Sequence, residues 1–253
     1  MTTALRIENL GKTYRVGFFM RRVEGLRDLS LEVNAGEAFG FIGPNGAGKT
    51  TTIKILMGLH RATTGSAEIF GVPVSEPSAR ARVGFLPERP YFYEHLTARE
   101  VLHFYGQLFE MDPGLRAERV EMLLERVKLE RFGDVTLAKY SKGMLQRVGL
   151  CQALLHDPDL IVLDEPMSGL DPVGRALVRD LILEQRAAGK TVFFSSHILS
   201  DVEAICDRVA ILVGGELRES GKLADVVADR DSLEAVLVGE MTKAVDESRL
   251  GVL

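Results

Sequence analysis

The chain has 253 residues, a formal net charge of −5, 46% hydrophobic and 26% charged residues, and no tryptophan. That length fits one large domain, or one domain carrying a subdomain, with a sizeable core. The mild acidity and sparse aromatics argue against a basic nucleic-acid surface or a base-stacking platform, so no nucleic-acid partner is expected.

The opening "MTTALRIENL" lacks a basic region followed by a long apolar run, the pattern of a signal peptide. From Ala4 to Leu31 the pattern predicts strands, "LRIENL" and then "LRDLSLEV" with alternating apolar residues. "EAFGFIG" is a short apolar strand running into a glycine loop. "KTTTIKILMGL" follows as a helix with Ile53, Leu56 and Leu59 at helical spacing. "SAEIFG" and "RVGFLPE" read as strands. Beyond Pro90 the character turns helical: "TAREVLHFYGQLF" opens with Thr97 as N-cap and Glu100 three residues on. "RAERVEMLLERVKL" is a second helix. A third begins near Lys142, with Leu145, Val148, Cys151 and Leu155 along one face. From Leu160 strands return in "LIVLDEP", "KTVFFSS" and "RVAILVGGELRES", with helices between them. A helical insertion in an alternating α/β core is the simplest reading. After about Glu240 the signals weaken and suggest a loose tail.

The two cysteines, Cys151 and Cys206, lack metal-ligand spacing and read as small buried residues of a reducing compartment. Apolar runs such as "LIVL" and "TVFF" fall far short of the ~18 residues of a membrane span. The expected location is cytoplasmic, with any membrane work done through a partner.

Two stretches carry chemistry. "GPNGAGKT", Gly43 to Thr50, matches G-x-x-x-x-G-K-[ST] between a predicted strand and helix, the context that pattern requires. Glycines let successive backbone N–H groups turn inward toward phosphate oxygens, and the helix that follows offers its positive end. Lys49 suits the β- and γ-phosphates, and the Thr50 hydroxyl suits Mg²⁺. In "DLIVLDEP" a buried strand ends at Asp164, where ligands bind in open α/β sheets, and a carboxylate there suits the metal through water. Glu165 follows and points the other way, placed to take a proton from an attacking water. These residues spell a nucleoside triphosphatase.

"KYSKGMLQRVGL", Lys139 to Leu150, raises a second question. Ser141 and Gly143 open a helix whose free N–H groups favour an anion, although an ordinary N-cap looks the same. The order along the chain is informative: glycine loop, Pro-Glu stretch, "YSKGM", "LDEP", "SGLD", "SSH". Over about Leu5 to Leu223 it resembles the ATP-binding subunits of ABC transporters. "GPNGAGKTT" is similar to the family's Walker A, "LIVLDEP" to its Walker B with the catalytic glutamate, and "YSKGM" to its signature. "SGLD", Ser168 to Asp171, resembles the D-loop, and His197 in "SSHIL" the switch histidine.

The resemblance implies an α/β fold with a P-loop NTPase (RecA-like) core, N-terminal antiparallel β elements and an inserted all-α subdomain. It implies one ABC ATPase domain over 1–240. Segments 1–90 and 158–223 would form the ATP-binding core, 91–157 the helical subdomain, and 224–253 a C-terminal extension and tail. ATP and Mg²⁺ are the implied cofactors. Glu165, His197 and Lys49 are the implied catalytic residues. Tyr14, Gly43, Pro44, Asn45, Gly46, Ala47, Gly48, Lys49, Thr50 and Thr51 would hold the nucleotide, and Thr50, Glu88 and Asp164 the metal. Tyr14 stands where the family stacks an aromatic on adenine, with Phe18 and Phe19 as competitors. Ser141, Gly143 and Asp171 would serve the ATP of a facing copy in a homodimer or a heterodimer with a sibling ATPase. His197 would donate to the γ-phosphate and the attacking water, a role that His60, His95, His103 and His156 do not share.

Two positions depart from the family pattern. Glu88 stands where a glutamine is usual, keeping an oxygen for metal or water but adding a charge. Lys142 and Met144 replace a glycine and a glutamine of the signature. With "DEPMSGLDPVGR", these features resemble the ATPases that serve ABC-2 exporters, at the inner face of the membrane beside a membrane-spanning subunit. "PYFYEHLT", from Pro90 to Thr97, is then a docking surface, unless Tyr91, Phe92 and Tyr93 are core. The alternative function is a soluble ABC-type ATPase acting on nucleic acid or ribosomes. Its relatives usually carry coiled-coil or zinc insertions or a second ATPase half.

Overall fold

Two long strands, β1 (Thr3–Val16) and β2 (Arg21–Asn34), pair antiparallel in the computed structural model, which describes residues 2–17, 20–228 and 230–250, the side chains of 16 and 248–250 excepted. The chain then enters β3 (Ala38–Ile42) and α1 (Lys49–Leu56), and returns as β4 (Thr64–Ile69), β5 (Val72–Pro73) and β6 (Val83–Leu86). Three helices follow, α2 (Ala98–Leu108), α3 (Pro113–Arg126) and α4 (Lys142–Leu154). After them come β7 (Leu160–Asp164), α5 (Pro172–Ala187), β8 (Thr191–Ser196) and α6 (Leu199–Ile205). β9 (Arg208–Val213), β10 (Glu216–Lys222), α7 (Leu223–Val227) and α8 (Leu233–Leu250) end the described chain.

One sheet runs β2-β1-β4-β5 and is antiparallel; the other runs β10-β9-β3-β8-β7-β6. In the larger sheet β9, β3, β8, β7 and β6 are parallel, and β10 closes the edge antiparallel. Its parallel strands are nearly continuous apolar runs because helices or the smaller sheet cover both faces, whereas edge strand β10 is polar and half-buried. Alternate side chains serve two cores. Phe39, Phe41, Val162, Phe193 and Leu212 pack with Ile53 and Leu56 of α1 and with Leu5 and Ile7 of β1. Ile42, Ile161, Leu163, Val192, Phe194 and Ile211 pack with Val148 and Cys151 of α4, Val178 of α5 and Val202 of α6. This is the α/β architecture with antiparallel N-terminal strands and a helical insertion that the sequence suggests.

Local chemistry sets the helix ends. Thr97 Oγ1 accepts from Glu100 N at 3.2 Å while Glu100 Oε2 accepts from Thr97 N at 2.8 Å, so α2 starts with the expected capping box. Two expectations need correction. The helix α1 stops at Leu56, so Leu59, expected on its apolar face, lies beyond it and is 61% exposed. The segment after Glu240, expected as a loose tail, continues α8 to Leu250. Its periodicity is weak because apolar residues fall on both sides: Leu233 and Val236 are buried, while Val238, Met241 and Val245 are exposed. Both cysteines are free and buried, and burial pushes both thiols upward, as suits packing residues.

Candidate active site

Four neighbouring strands of the larger sheet, β3, β8, β7 and β6, end on the same side. Just beyond their carboxyl ends stand the glycine loop, His197, Glu165 and Glu88. Strand ends are where an open α/β sheet exposes ordered backbone to a ligand. A cavity of about 580 Å³ opens there. It is lined by Tyr14, by residues 44–51, and by Glu88, Glu165, Ser168 and His197. Val23, Glu24 and Gly25 of β2 complete the rim.

The loop bends as a phosphate cradle requires. Gly46 has φ 81° and Gly48 φ 108°, left-handed values that any side chain would strain. A Cβ on Gly48 would also stand 2.7 Å from both the Gly25 carbonyl and Leu26 Cδ2. Lys49, 6% exposed, turns its Nζ to the Gly43 carbonyl at 2.6 Å and the Pro44 carbonyl at 3.3 Å, with Glu165 Oε1 at 3.5 Å. A buried ammonium keeps its charge only with such partners.

The acidic side is held by hydroxyls. Ser195 Oγ donates to Asp164 Oδ1 at 2.7 Å, and Thr50 Oγ1 donates to the same oxygen at 3.3 Å. Ser195 Oγ also accepts from Glu165 N at 3.0 Å. Burial pushes the Asp164 carboxyl up; the Ser195 and Thr50 hydroxyls draw it back, and the charges of Glu165 and Glu88 add to the rise. Glu165 sits at φ 52°, a strained backbone for a glutamate, of the kind that concentrates at functional sites. Its Oε2 accepts from His197 Nδ1 at 2.7 Å and from His197 N at 3.3 Å. Hard oxygen donors at Asp164 and Thr50, amid carboxylates balanced by one ammonium, suit a divalent cation such as Mg²⁺.

Tyr14 reaches the cavity through a bond not foreseen from sequence. Its hydroxyl lies 3.1 Å from Thr51 Oγ1 and 3.1 Å from His60 Nδ1. The competing Phe18 and Phe19 lie outside the described residues. Three candidates stand apart from the cavity. Ser141 Oγ accepts from Met144 N at 3.2 Å and caps α4, while Gly143 faces Leu170. Asp171 Oδ1 accepts from Gly174 N at 2.7 Å and caps α5. Sequence reasoning missed Ser195, although a serine pair closing the apolar run "TVFFSS" is a visible anomaly. It also missed the β2 rim and His60, whose contacts depend on tertiary packing.

A glycine loop at a strand-to-helix turn, with a buried lysine and a strand-end aspartate beside it, defines a P-loop nucleotide hydrolase. Residues 26–168 match the ABC transporter family. The chain is 50% identical over 239 residues to an ABC transporter ATP-binding protein of Synechocystis, covering 93% of this chain and 68% of that one. It is 35% identical over 215 residues to Nod factor export ATP-binding protein I of Cupriavidus pinatubonensis, covering 84% and 66%. Among solved structures, an ATP-binding subunit of an ABC transporter superposes with TM-score 0.85 at 32% identity, covering 94% of this chain and 99% of that one. A dimeric ATP-binding cassette bound to ADP and Pi superposes with TM-score 0.79 at 26% identity, covering 86% and 98%. The chain belongs to the ABC transporter family as an ATP-binding subunit, and it is an ATPase. Among the described residues no helix is long and apolar enough to cross a membrane.

Proposed function

We propose that this chain powers export through a separate membrane-spanning subunit, by closing with a second ATPase copy around ATP and reopening after hydrolysis. The observation that carries the reading is a separation within the chain. The glycine loop and its lysine form a cavity with the acidic residues, whereas the start of α4, with Ser141 and Gly143, lies outside that cavity. A second helix start suited to an anion is accounted for if the phosphate comes from the facing copy.

In this reading the loop N–H groups and Lys49 hold the phosphates, and Tyr14 supports the adenine. Thr50, Asp164 and Glu88 are the groups that would hold Mg²⁺, which would offset phosphate charge when bound. Glu165 takes the proton of the attacking water, and His197, already bonded to Glu165, orients that water and the γ-phosphate. Asp171 positions the loop that approaches the facing copy. Export is supported by the Nod factor export relative and by the resemblance of "DEPMSGLDPVGR" and the signature departures to ABC-2 ATPases.

The membrane subunit would dock in a cavity of about 400 Å³ lined by Leu59, Phe85, Pro90, Tyr91, Tyr105 and Phe109. Tyr91 is 88% exposed and Tyr93 63% exposed, whereas Phe92 is buried, so the aromatic segment divides between docking and core. The location is then the inner face of the membrane.

The test is to trap a tagged Glu165→Gln chain with Mg-ATP in its native host and identify what copurifies from solubilised membranes. A stoichiometric polytopic membrane protein is expected. Recovery with ribosomes or DNA in the soluble fraction, and no membrane protein, would overturn the assigned role while leaving the ATPase chemistry intact.

A further inference from the structure

Gln146 is buried in α4, 1% exposed, among Val148, Leu150, Cys151, Ala153 and Leu154. Its Nε2 donates to the Pro166 carbonyl at 3.3 Å, while its Oε1 is buried without a hydrogen-bond partner. An apolar side chain of that length would leave no acceptor unpaired, so packing alone does not account for an amide here. The bond it makes falls on the residue directly after Glu165. Glu165 holds a left-handed backbone that only its surroundings can enforce.

Two further contacts tie the first turn of α4 to the same loop. A Cβ on Gly143 would stand 3.2 Å from Leu170 Cδ2, and one on Gly169 would stand 2.7 Å from Lys142 Nζ. Leu170 therefore seats on the start of α4, and the Lys142 side chain crosses the loop at Gly169. The helix α4 grips the segment 166–170 at three points.

We infer that Gln146 is a positioning residue for Glu165. By holding the Pro166 carbonyl it fixes where the Glu165 carboxylate stands relative to Lys49 and His197, and it passes to that carboxylate any displacement of α4. The inference rests on the reading of Glu165 as general base and of the α4 start as the surface offered to the facing copy. Given that reading, phosphate held at Ser141 and Gly143 acquires a route within one chain to the base of that chain's own site. The route is short: one helix turn from Gly143 to Gln146, then one hydrogen bond.

The test compares wild type with Gln146→Met, Gln146→Glu and Glu165→Gln in the full chain, by steady-state ATP hydrolysis and thermal unfolding. Methionine keeps the length without a donor, and an ionised glutamate keeps the shape without a donor. Either variant that folds serves the purpose. We expect KM for ATP within about three-fold of wild type and kcat lower by roughly ten-fold or more, the split that marks loss of transition-state positioning. If Glu165→Gln is inactive while a folded Gln146 variant matches wild-type kcat, the positioning role is wrong and the assignment of the base stands. Losses in kcat that track a rise in KM and a fall in unfolding temperature would mark a merely structural residue and overturn it likewise. If Glu165→Gln turns over like wild type, the assignment of the base fails and the inference falls with it.

Discussion

Glu165 and His197 hold each other: the carboxylate accepts from both the ring Nδ1, at 2.7 Å, and the backbone N–H of the histidine. That commits Nδ1 and leaves Nε2 as the nitrogen free to meet water or phosphate. Replacing His197 with Ala should lower kcat by roughly 10² while changing KM for ATP little, because the lost contact is made mainly in the transition state. Steady-state kinetics over a range of ATP concentrations checks this. A change confined to KM would limit His197 to ground-state binding.

Asp164, 3% exposed, is pushed up by burial and by its acidic neighbours. A carboxyl raised in the folded state contributes stability that is fully present below its unfolded pKa, about 3.9, and is lost as pH rises through the folded value. Ionised Asp164 therefore opposes folding of the metal-free protein at neutral pH. Asp164→Asn should raise the unfolding temperature of that form by a few degrees at neutral pH. The gain should shrink as pH falls into the carboxylate range. Stabilisation by Mg-ATP should be lost in the same variant. Melting curves in chelator across pH, then with Mg-ATP, read both effects.

Thr97 completes a reciprocal cap at the start of α2. Thr97→Ala should cost about 1 kcal/mol of unfolding free energy, and Thr97→Ser much less, since serine keeps the accepting oxygen. Urea unfolding of the three proteins reads this directly, and ATP affinity should be unchanged.

Under the proposed docking, the aromatic run from Tyr91 to Tyr93 divides into an exposed part and a buried part. Tyr93 is 63% exposed, so Tyr93→Ala should leave ATPase activity of the isolated subunit intact while abolishing its coupling to transport. Phe92 is 9% exposed, and Phe92→Ala should cost roughly 3 kcal/mol through lost packing. Parallel ATPase, transport and unfolding measurements separate the two.

The elements that position the site were legible wherever a local rule applies. The strand-to-helix glycine loop has a fixed spacing, the buried strand before Asp164 is a continuous apolar run, and Thr97 with Glu100 spells a capping box. The single sequence carries no comparable signal for contacts made across the fold. His60 meets Tyr14 only because β1 and the turn after α1 pack together. Ser195 bridges Asp164 and Glu165 only because β8 lies beside β7 in register, with Ser195 opposite Asp164. The end of α1 at Leu56 follows instead from a local stop that the periodicity overlooked: Gly58 takes φ 68° just past the helix, and Leu59 N bonds back to the Lys54 carbonyl at 2.8 Å. The persistence of α8 past Glu240 goes with tertiary contacts, Ala244 against the core and Glu247 with Arg218, that periodicity does not reveal. The serine that opens α4 was ambiguous between cap and phosphate ligand, and within one chain it is a cap.

That ambiguity points to the most direct measurement: the mass of Glu165→Gln in solution with Mg-ATP, with and without a second change, Ser141→Asp. Aspartate caps a helix as well as serine does but repels a phosphate, so the double variant should melt with Glu165→Gln. If the α4 start completes the ATP site of a facing copy, Glu165→Gln will sediment as a dimer in Mg-ATP and the double variant as a monomer. A monomer in both, or a dimer indifferent to Ser141→Asp, would contradict a nucleotide site shared between two chains.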